Sequence, residues 1–423
     1  MKGSGRTAQR QGTGRRLGHG RDGAARPAGG ELRVLIVAGG TGGHIYPGLS
    51  LADALRERAS REGWRARVVF AGTRRGLEER VIPPAGYPLV TLPSSGFPRG
   101  RGPRQWPAWA CALAVNGYAL ARALLLVAGL RPHVAVGMGG YLTGPVLLGA
   151  HLLRVPTLAH EANARPGVAN RMAARFVDRV AVGFTAAAAR FPRPERVTVT
   201  GNPIRAGVLR AEASRARRRF GLEAGRPTLL VLGGSQGARA LNEALLDARE
   251  RLEAAVPGLQ VIHQTGAGEF DRVAEAWRQV RMVQTGPREI RWKGWRVVPY
   301  LEEVADAMAA ADLVCSRAGG STAAELTALG VPALLVPFAA ATEAHQAENA
   351  AELARAGAAR VLPQAELSGE RLARELTSLL NDAGRLQEMR RASRRLGRPE
   401  AARTLAELVR DLAGGRGAAG PPG

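Results

Sequence analysis

A chain of 423 residues, 45% of them hydrophobic, can bury a sizeable core and is too long for one ordinary domain, which predicts two domains of about 200 residues or fewer. Its two cysteines, Cys111 and Cys315, lie far apart with no zinc-site spacing, which excludes a disulfide framework or structural zinc and fits a reducing, cytoplasmic compartment. The net charge of +24 would suit nucleic acid or an anionic membrane surface, but aromatics are only 4% and no RNA-binding pattern supplies stacking platforms, so nucleic acid is not an expected partner.

In chain order, residues 1–30 carry seven Lys/Arg against one Asp, many glycines and no apolar periodicity. They are expected to form a disordered basic leader, without the apolar segment of a signal peptide. The folded part is expected to start with a buried strand, "LRVLIVAGG" (32–40), then the glycine loop of "GGTGGHIYPG", a helix, and a second strand, "RARVVFAGT" (65–73). Residues 108–130, "AWACALAVNGYALARALLLVAGL", approach the length of a membrane span, but Arg122 and Asn116 sit near the middle and two glycines weaken the stretch. The expectation is a core helix that touches membrane at one end. Around its start, Phe97, Trp106, Trp109 and Leu113 interleave with Arg99, Arg101 and Arg104, as on a surface that dips into anionic headgroups.

Strand, turn and helix alternate again through "HVAVGMGGYLTGPVLLGAHLL", "PTLAHEANARPGVANRMAARF", "RVAVGFT" and "RVTVTGNPI". A second series begins at "PTLLVLGGSQGARALNEALLDA" (227–248) and continues through "LQVIHQTG", "WRVVPYLEEV" and "DLVCSRAGGSTAAEL". The fold class is therefore expected to be α/β: two Rossmann-like, doubly wound parallel-sheet domains facing across a cleft, at 31–204 and 227–385, with a linker at 205–226. Residues 386–412 read as C-terminal helices able to pack back on the first domain, and 413–423 as a disordered tail. The stretch 283–295, "VQTGPREIRWKGW", has no assignment.

Ligands of open α/β sheets sit off the carboxyl ends of the strands, and each glycine cluster falls at such an end. One such loop needs only the tightness of its turn to explain it; four converging on one cleft point to an anion approached by backbone amides. The chain has no G-x-x-x-x-G-K-[ST], so a P-loop is disfavoured. Neither "GGTGGHIYPG" nor "GGSQGARALN" has dinucleotide G-x-G-x-x-G spacing, and Thr73 with arginines stands where a ribose-binding acid would end the second strand. No D-x-D pair signals a metal-chelated diphosphate, so neither a metal nor another cofactor is expected and helix termini would carry the charge. A sugar-nucleotide transferase fits these absences.

Taken together, "GGTGGHIYPG", "GMGGYLTGP", "HEANARPG", "GNPIR", "GGSQGARALN" and "SRAGGSTAAEL…GVPALLVPF…HQAENA" resemble the MurG family over about residues 32–412. These bacterial glycosyltransferases move N-acetylglucosamine (GlcNAc) from UDP-GlcNAc to lipid I, undecaprenyl-diphospho-MurNAc-pentapeptide, and so form lipid II for peptidoglycan. The resemblance implies the GT-B fold, inversion at the anomeric carbon, a peripheral position on the cytoplasmic face of the cell membrane, and contact with other cell-wall synthesis proteins. Carried onto this chain, it implies that Thr41, Gly42, Gly43, Asn163 and Arg205 approach the donor from the first domain, with Ser235 and Gln236 near its diphosphate. Leu301 would lie against uracil, Gly319, Gly320, Ser321 and Thr322 would face the α-phosphate, Glu325 would accept the ribose hydroxyls, and Gln346, beside His345, would touch donor hydroxyls.

The residues support parts of this on their own. Glu325 falls early in a helix, where a carboxylate is favourable, and Arg205 could pair with phosphate, although a solvated linker arginine explains it as well. His44, ending the first glycine loop, could take the proton of an attacking sugar hydroxyl, or else bind the acceptor. Glu161 is a rival base, and Tyr141 a candidate acceptor contact. Another UDP-sugar transferase of the same fold, or a UDP-sugar epimerase, would share much of this pattern; a nucleic-acid-binding protein would not need the glycine loops.

Overall fold

The computed structural model describes residues 30–415 except 75, 99, 101, 235–236, 280–282, 287 and 339–344. Expectations for the leader up to residue 29, for Arg99, Arg101, Ser235 and Gln236, and for the tail beyond 415 therefore lie outside the described residues.

The first sheet comprises β1 (Glu31–Val37), β2 (Arg65–Gly72), β3 (Leu89–Thr91), β4 (Val134–Gly137), β5 (Thr157–Glu161), β6 (Arg179–Val182) and β7 (Val197–Val199). All are parallel, in the order β3-β2-β1-β4-β5-β6-β7. Strand β1 shows why its sequence is a continuous apolar run. Leu32, Val34 and Ile36 pack on one face with Ile45 and Leu55 of the following helix, while Leu35 and Val37 pack on the other with Ala123 and Val146. A parallel strand covered by helices on both sides has no polar face to show. The chain order reverses between β1 and β4, so the loops after these two strands open the ligand crevice.

The second sheet repeats the plan with β8 (Thr228–Leu232), β9 (Gln260–Gln264), β10 (Val283–Gly286), β11 (Glu289–Trp292), β12 (Trp295–Val298), β13 (Leu313–Ser316), β14 (Ala333–Leu335) and β15 (Ala359–Val361), ordered β10-β11-β12-β9-β8-β13-β14-β15. Its switch point lies between β8 and β13. The unassigned stretch forms β10 and β11, which extend the sheet, β10 antiparallel to β11 and β11 antiparallel to β12. Lys293 and Gly294, both at positive φ (44° and 97°), make the two-residue turn that sets Trp292 opposite Trp295.

Three expectations change. Residues 205–226 are not simply a linker: the Ala213–Phe220 helix buries Ala216 and Phe220 in the second domain's core, so the first crossing is confined to the residues just before it. The helix expected in the core at 108–130, observed as Trp106–Leu130, is mostly exposed, with Leu113 at 59%, Tyr118 at 56% and Leu125 at 70%. Its buried seam consists of Ala112, Ala119, Ala123 and Val127, small residues that allow close packing on the Thr143–Leu152 helix but cover little area. Finally, residues 413–415 belong to the last helix rather than to the tail.

The chain crosses between domains twice. After the Ala383–Leu396 helix, which packs on the second domain, the chain returns at 397–400 and the Ala401–Gly415 helix buries Leu405, Ala406 and Val409 in the first domain's core. Arg410 pairs with Glu62 at 2.8 Å and Arg58 with Glu407 at 3.1 Å along this seam. Such exposed pairs add little next to the buried leucine and valine.

Candidate active site

Two helix starts face one another in the cleft. The first domain supplies the Gly42–Glu62 helix, capped by Thr41 in extended conformation; the second supplies Gly320–Leu329, capped by Gly319. Neither has an acidic residue in its first turn or a side-chain cap bond. The leading amides at 42–43 and at 320–322 are thus the groups a helix cannot satisfy internally. Ser321 Oγ donates to the Gly43 carbonyl at 3.4 Å, so Gly42, Gly43, Gly320, Ser321 and Thr322 meet across the domain boundary. Two helix starts with unspent N–H groups suit a diphosphate.

Three asparagines tie the walls together. Asn202 Nδ2 donates to the carbonyls of Ala162 (2.8 Å) and Gly320 (3.1 Å). Asn349 Nδ2 donates to Asn163 Oδ1 (3.1 Å) and the Ala318 carbonyl (3.0 Å), and its Oδ1 accepts from the Ala164 amide (2.8 Å). Asn163 was expected here; Asn202 and Asn349 were not singled out, although both lie inside the "GNPIR" and "HQAENA" motifs.

Arg205 does not stand as a free linker arginine. Its Nε and Nη2 donate to Glu325 Oε1 at 3.2 and 3.0 Å, and its guanidinium lies 5.0 Å over the Tyr46 ring. Burial pushes the Glu325 carboxyl above its ordinary range, and Arg205 offsets this only in part. Burial and then the neighbouring Tyr300 raise the Tyr46 phenol. Leu301, next in sequence, is buried. Gln346 Oε1 accepts from the Phe338 amide at 2.9 Å, and His345 Nδ1 donates to the Arg165 carbonyl at 2.7 Å. Neither Tyr46 nor Tyr300 was legible as a site residue, because their pairing joins two domains.

On the first wall, His44 Nδ1 lies 3.0 Å from the Gly39 carbonyl. A carbonyl only accepts, so Nδ1 carries a proton, and Nε2 has no hydrogen-bond partner among the described residues. The ring rests on Gly139, whose φ is +115° and where a Cβ would come within 2.6 Å of the imidazole. Beneath it His160 is buried and held neutral, its pKa lowered to about 4 chiefly by burial. Glu161 is buried and saturated: Oε1 accepts from Asn163 N (2.9 Å) and Nδ2 (3.0 Å), and Oε2 from Gly167 N (3.0 Å) and Asn170 Nδ2 (2.8 Å). Tyr141 is 60% exposed at the cleft rim, lying over Gly96.

Comparison with known proteins matches this geometry. Residues 34–182 fit the glycosyltransferase family 28 N-terminal domain and residues 228–405 the family 28 C-terminal domain. A relative from Desulforudis audaxviator is 40% identical over 383 residues, 90% of this chain and 99% of its own length. Another from Halorhodospira halophila is 44% identical over 386 residues, 90% and 99% of the two chains. Both carry the name UDP-N-acetylglucosamine--N-acetylmuramyl-(pentapeptide) pyrophosphoryl-undecaprenol N-acetylglucosamine transferase. Among solved structures, Acinetobacter baumannii MurG superposes with a TM-score of 0.67 at 29% identity, covering 89% of this chain and 99% of its own. With two facing Rossmann-like sheets of the GT-B kind and near-complete coverage by these relatives, the chain belongs to the MurG family of family 28 glycosyltransferases.

Proposed function

We propose that this chain is the inverting transferase that moves N-acetylglucosamine from UDP-GlcNAc to the C4 hydroxyl of MurNAc in lipid I, giving lipid II. The observation that carries the reading is the meeting, at Gly43 and Ser321, of two helix starts that lack a side-chain cap bond. Amides of Gly42, Gly43, Gly320, Ser321 and Thr322 bind the diphosphate and stabilise the charge that develops on it as it leaves. The family resemblance assigns Ser235 and Gln236, outside the described residues, to the diphosphate, and Gln346 and Asn163 address the sugar.

Glu325 takes the ribose hydroxyls and Leu301 backs the uracil. Arg205 pairs with Glu325 and turns to the diphosphate when the ribose engages that carboxylate. His44 Nε2 is the base. It removes the acceptor hydroxyl proton as the oxygen attacks the anomeric carbon and UDP departs from the opposite face. Glu161, with four N–H donors already on it, holds the 161–170 loop instead of acting as base; Tyr141 at the rim meets the acceptor.

The exposed Trp106–Leu130 helix supports peripheral attachment to the cytoplasmic face of the membrane. It is long and apolar enough to cross a bilayer, but its alanine seam fixes it against the first domain. Leu113 and Leu125, and Leu152 and Met172 on the next two helices, are exposed apolar side chains of the kind a lipid interface accepts. Association with other cell-wall synthesis proteins rests on the family alone.

Mixing labelled UDP-GlcNAc with a lipid I analogue tests the activity: label must appear in a lipid II product. Calorimetry must register UDP binding, and a folded protein that takes up no UDP refutes the reading. Leu125→Glu is expected to lower binding to vesicles of anionic phospholipid while leaving transfer to a soluble acceptor intact; unchanged vesicle binding rejects the membrane face.

A further inference from the structure

A carboxylate that the reaction scheme leaves unused lies directly beneath the first glycine loop. Glu78 follows the "TRRG" turn after β2 and is fully buried. Its Oε1 accepts from the Gly40 amide at 2.8 Å, the Thr73 hydroxyl at 2.8 Å and the Thr73 amide at 3.4 Å. Its surroundings are cut to fit, since a Cβ at Gly76 would overlap the carboxylate and one at Gly39 would come within 3.0 Å of Oε1. Oε2 accepts no hydrogen bond among the described residues. Burial alone would raise this carboxyl, yet the hydrogen bonds outweigh it and hold the group below its ordinary range, so it is ionised at neutral pH.

The Gly40 N–H and the Gly39 C=O belong to one peptide unit. Glu78 grips that unit by its N–H; His44 Nδ1 donates to its C=O. Carboxylate, peptide and imidazole therefore form a chain in which the negative charge polarises the amide and strengthens the carbonyl as an acceptor. We propose that Glu78 is a positioning residue for the transfer, holding His44 through the Gly39–Gly40 peptide with the proton on Nδ1 and the lone pair on Nε2.

This inference rests on His44 as the base. In the step itself, Nε2 accepts the C4 hydroxyl proton while the sugar oxygen bonds to the anomeric carbon and the bond to UDP breaks. The resulting imidazolium keeps its Nδ1–H on the Gly39 carbonyl, and Glu78 stays ionised and takes no proton. His160, the titratable group beneath His44, is neutral and does not oppose the new charge.

Nitrogen-15 NMR of histidine-labelled wild-type enzyme tests the hold without any variant: His44 is expected as the Nδ1–H tautomer, and an Nε2–H tautomer overturns the proposal. Glu78→Gln keeps an oxygen acceptor but removes the charge. It should cut kcat by about 10- to 100-fold, part of the ~10²–10⁴ that a general base contributes, with the donor KM within about twofold. In a His44→Ala background the same change should cost nothing further, and an equal loss in both backgrounds overturns the proposal. If Glu78→Gln fails to bind UDP as a folded protein does, Glu78→Asp replaces it: a carboxylate drawn back from Gly40 is expected to lower kcat, and a wild-type kcat overturns the proposal. A His44→Ala enzyme with wild-type kcat refutes the base assignment alone, while the tautomer still decides whether Glu78 holds the ring.

Discussion

The two walls of the cleft share a strand, turn and helix plan but use their polar groups in opposite ways. On the first wall both buried carboxylates are turned inward onto backbone and amide N–H groups: Glu78 on Gly40 and Thr73, Glu161 on Asn163, Gly167 and Asn170. On the second, Glu325 is held by the Arg205 guanidinium at the crossing between domains, a partner that can be exchanged without unfolding a loop. The difference separates tasks. On the proposed function, the first wall would freeze the groups that move a proton, and the second would keep its groups available to grip a nucleotide.

The largest expected effect tests that separation most directly. His44→Ala should lower kcat by about 10²–10⁴ while calorimetric UDP affinity stays unchanged. Glu325→Gln should do the reverse, weakening donor KM about tenfold or more, as expected for a lost charged hydrogen bond, with kcat nearly preserved. If the first variant loses UDP and the second loses turnover, the roles of the walls are exchanged.

A smaller effect compares the walls through stability. Each sheet buries one neutral histidine, with pKa values lowered by burial from 6.5 to about 4 for His160 and about 3 for His263. Between those values and 6.5 the unfolded chain binds protons that the folded chain does not. Their contribution is therefore whole above pH 6.5 and declines as pH falls toward 4, by about 1.4 kcal/mol per pH unit for each. Scanning calorimetry should show the melting temperature dropping over that window, and His160→Gln should flatten the slope. The smallest effect belongs to Glu161→Gln, which replaces one of two acceptor oxygens with an amide and should cost about 1–3 kcal/mol in a thermal melt. A large loss of kcat at unchanged stability would instead restore Glu161 as a base.

Much of the fold was legible because apolar runs ending in glycine recur with helical segments between them, and parallel strands covered on both faces leave that trace. The β10–β11 extension was not, since its turn is Lys293-Gly294 rather than the Asn-Gly that usually announces a two-residue hairpin. The Trp106–Leu130 helix misled because its seam is alanine, and apolar residues all around a helix do not say which face is covered. In the site, the glycine loops and His44 could be read from local spacing. Glu78, Asn202, Asn349 and the Tyr46–Tyr300 pair could not be given roles, since each acts on a partner far away in sequence. Glu78 is the clearest case: the sequence shows an ordinary acid at a helix start, and only the packed loop makes it the support of a peptide.

The two crossings of the chain, near Arg205 and again just before Ala401, also govern how the halves can move. A body pinned to another at one point can tumble, but one pinned at two can only swing about the line between the pins. The terminal helix thus adds a second tie between the halves that hold Ser321 and Gly43, and any change in their separation must be accommodated at both crossings.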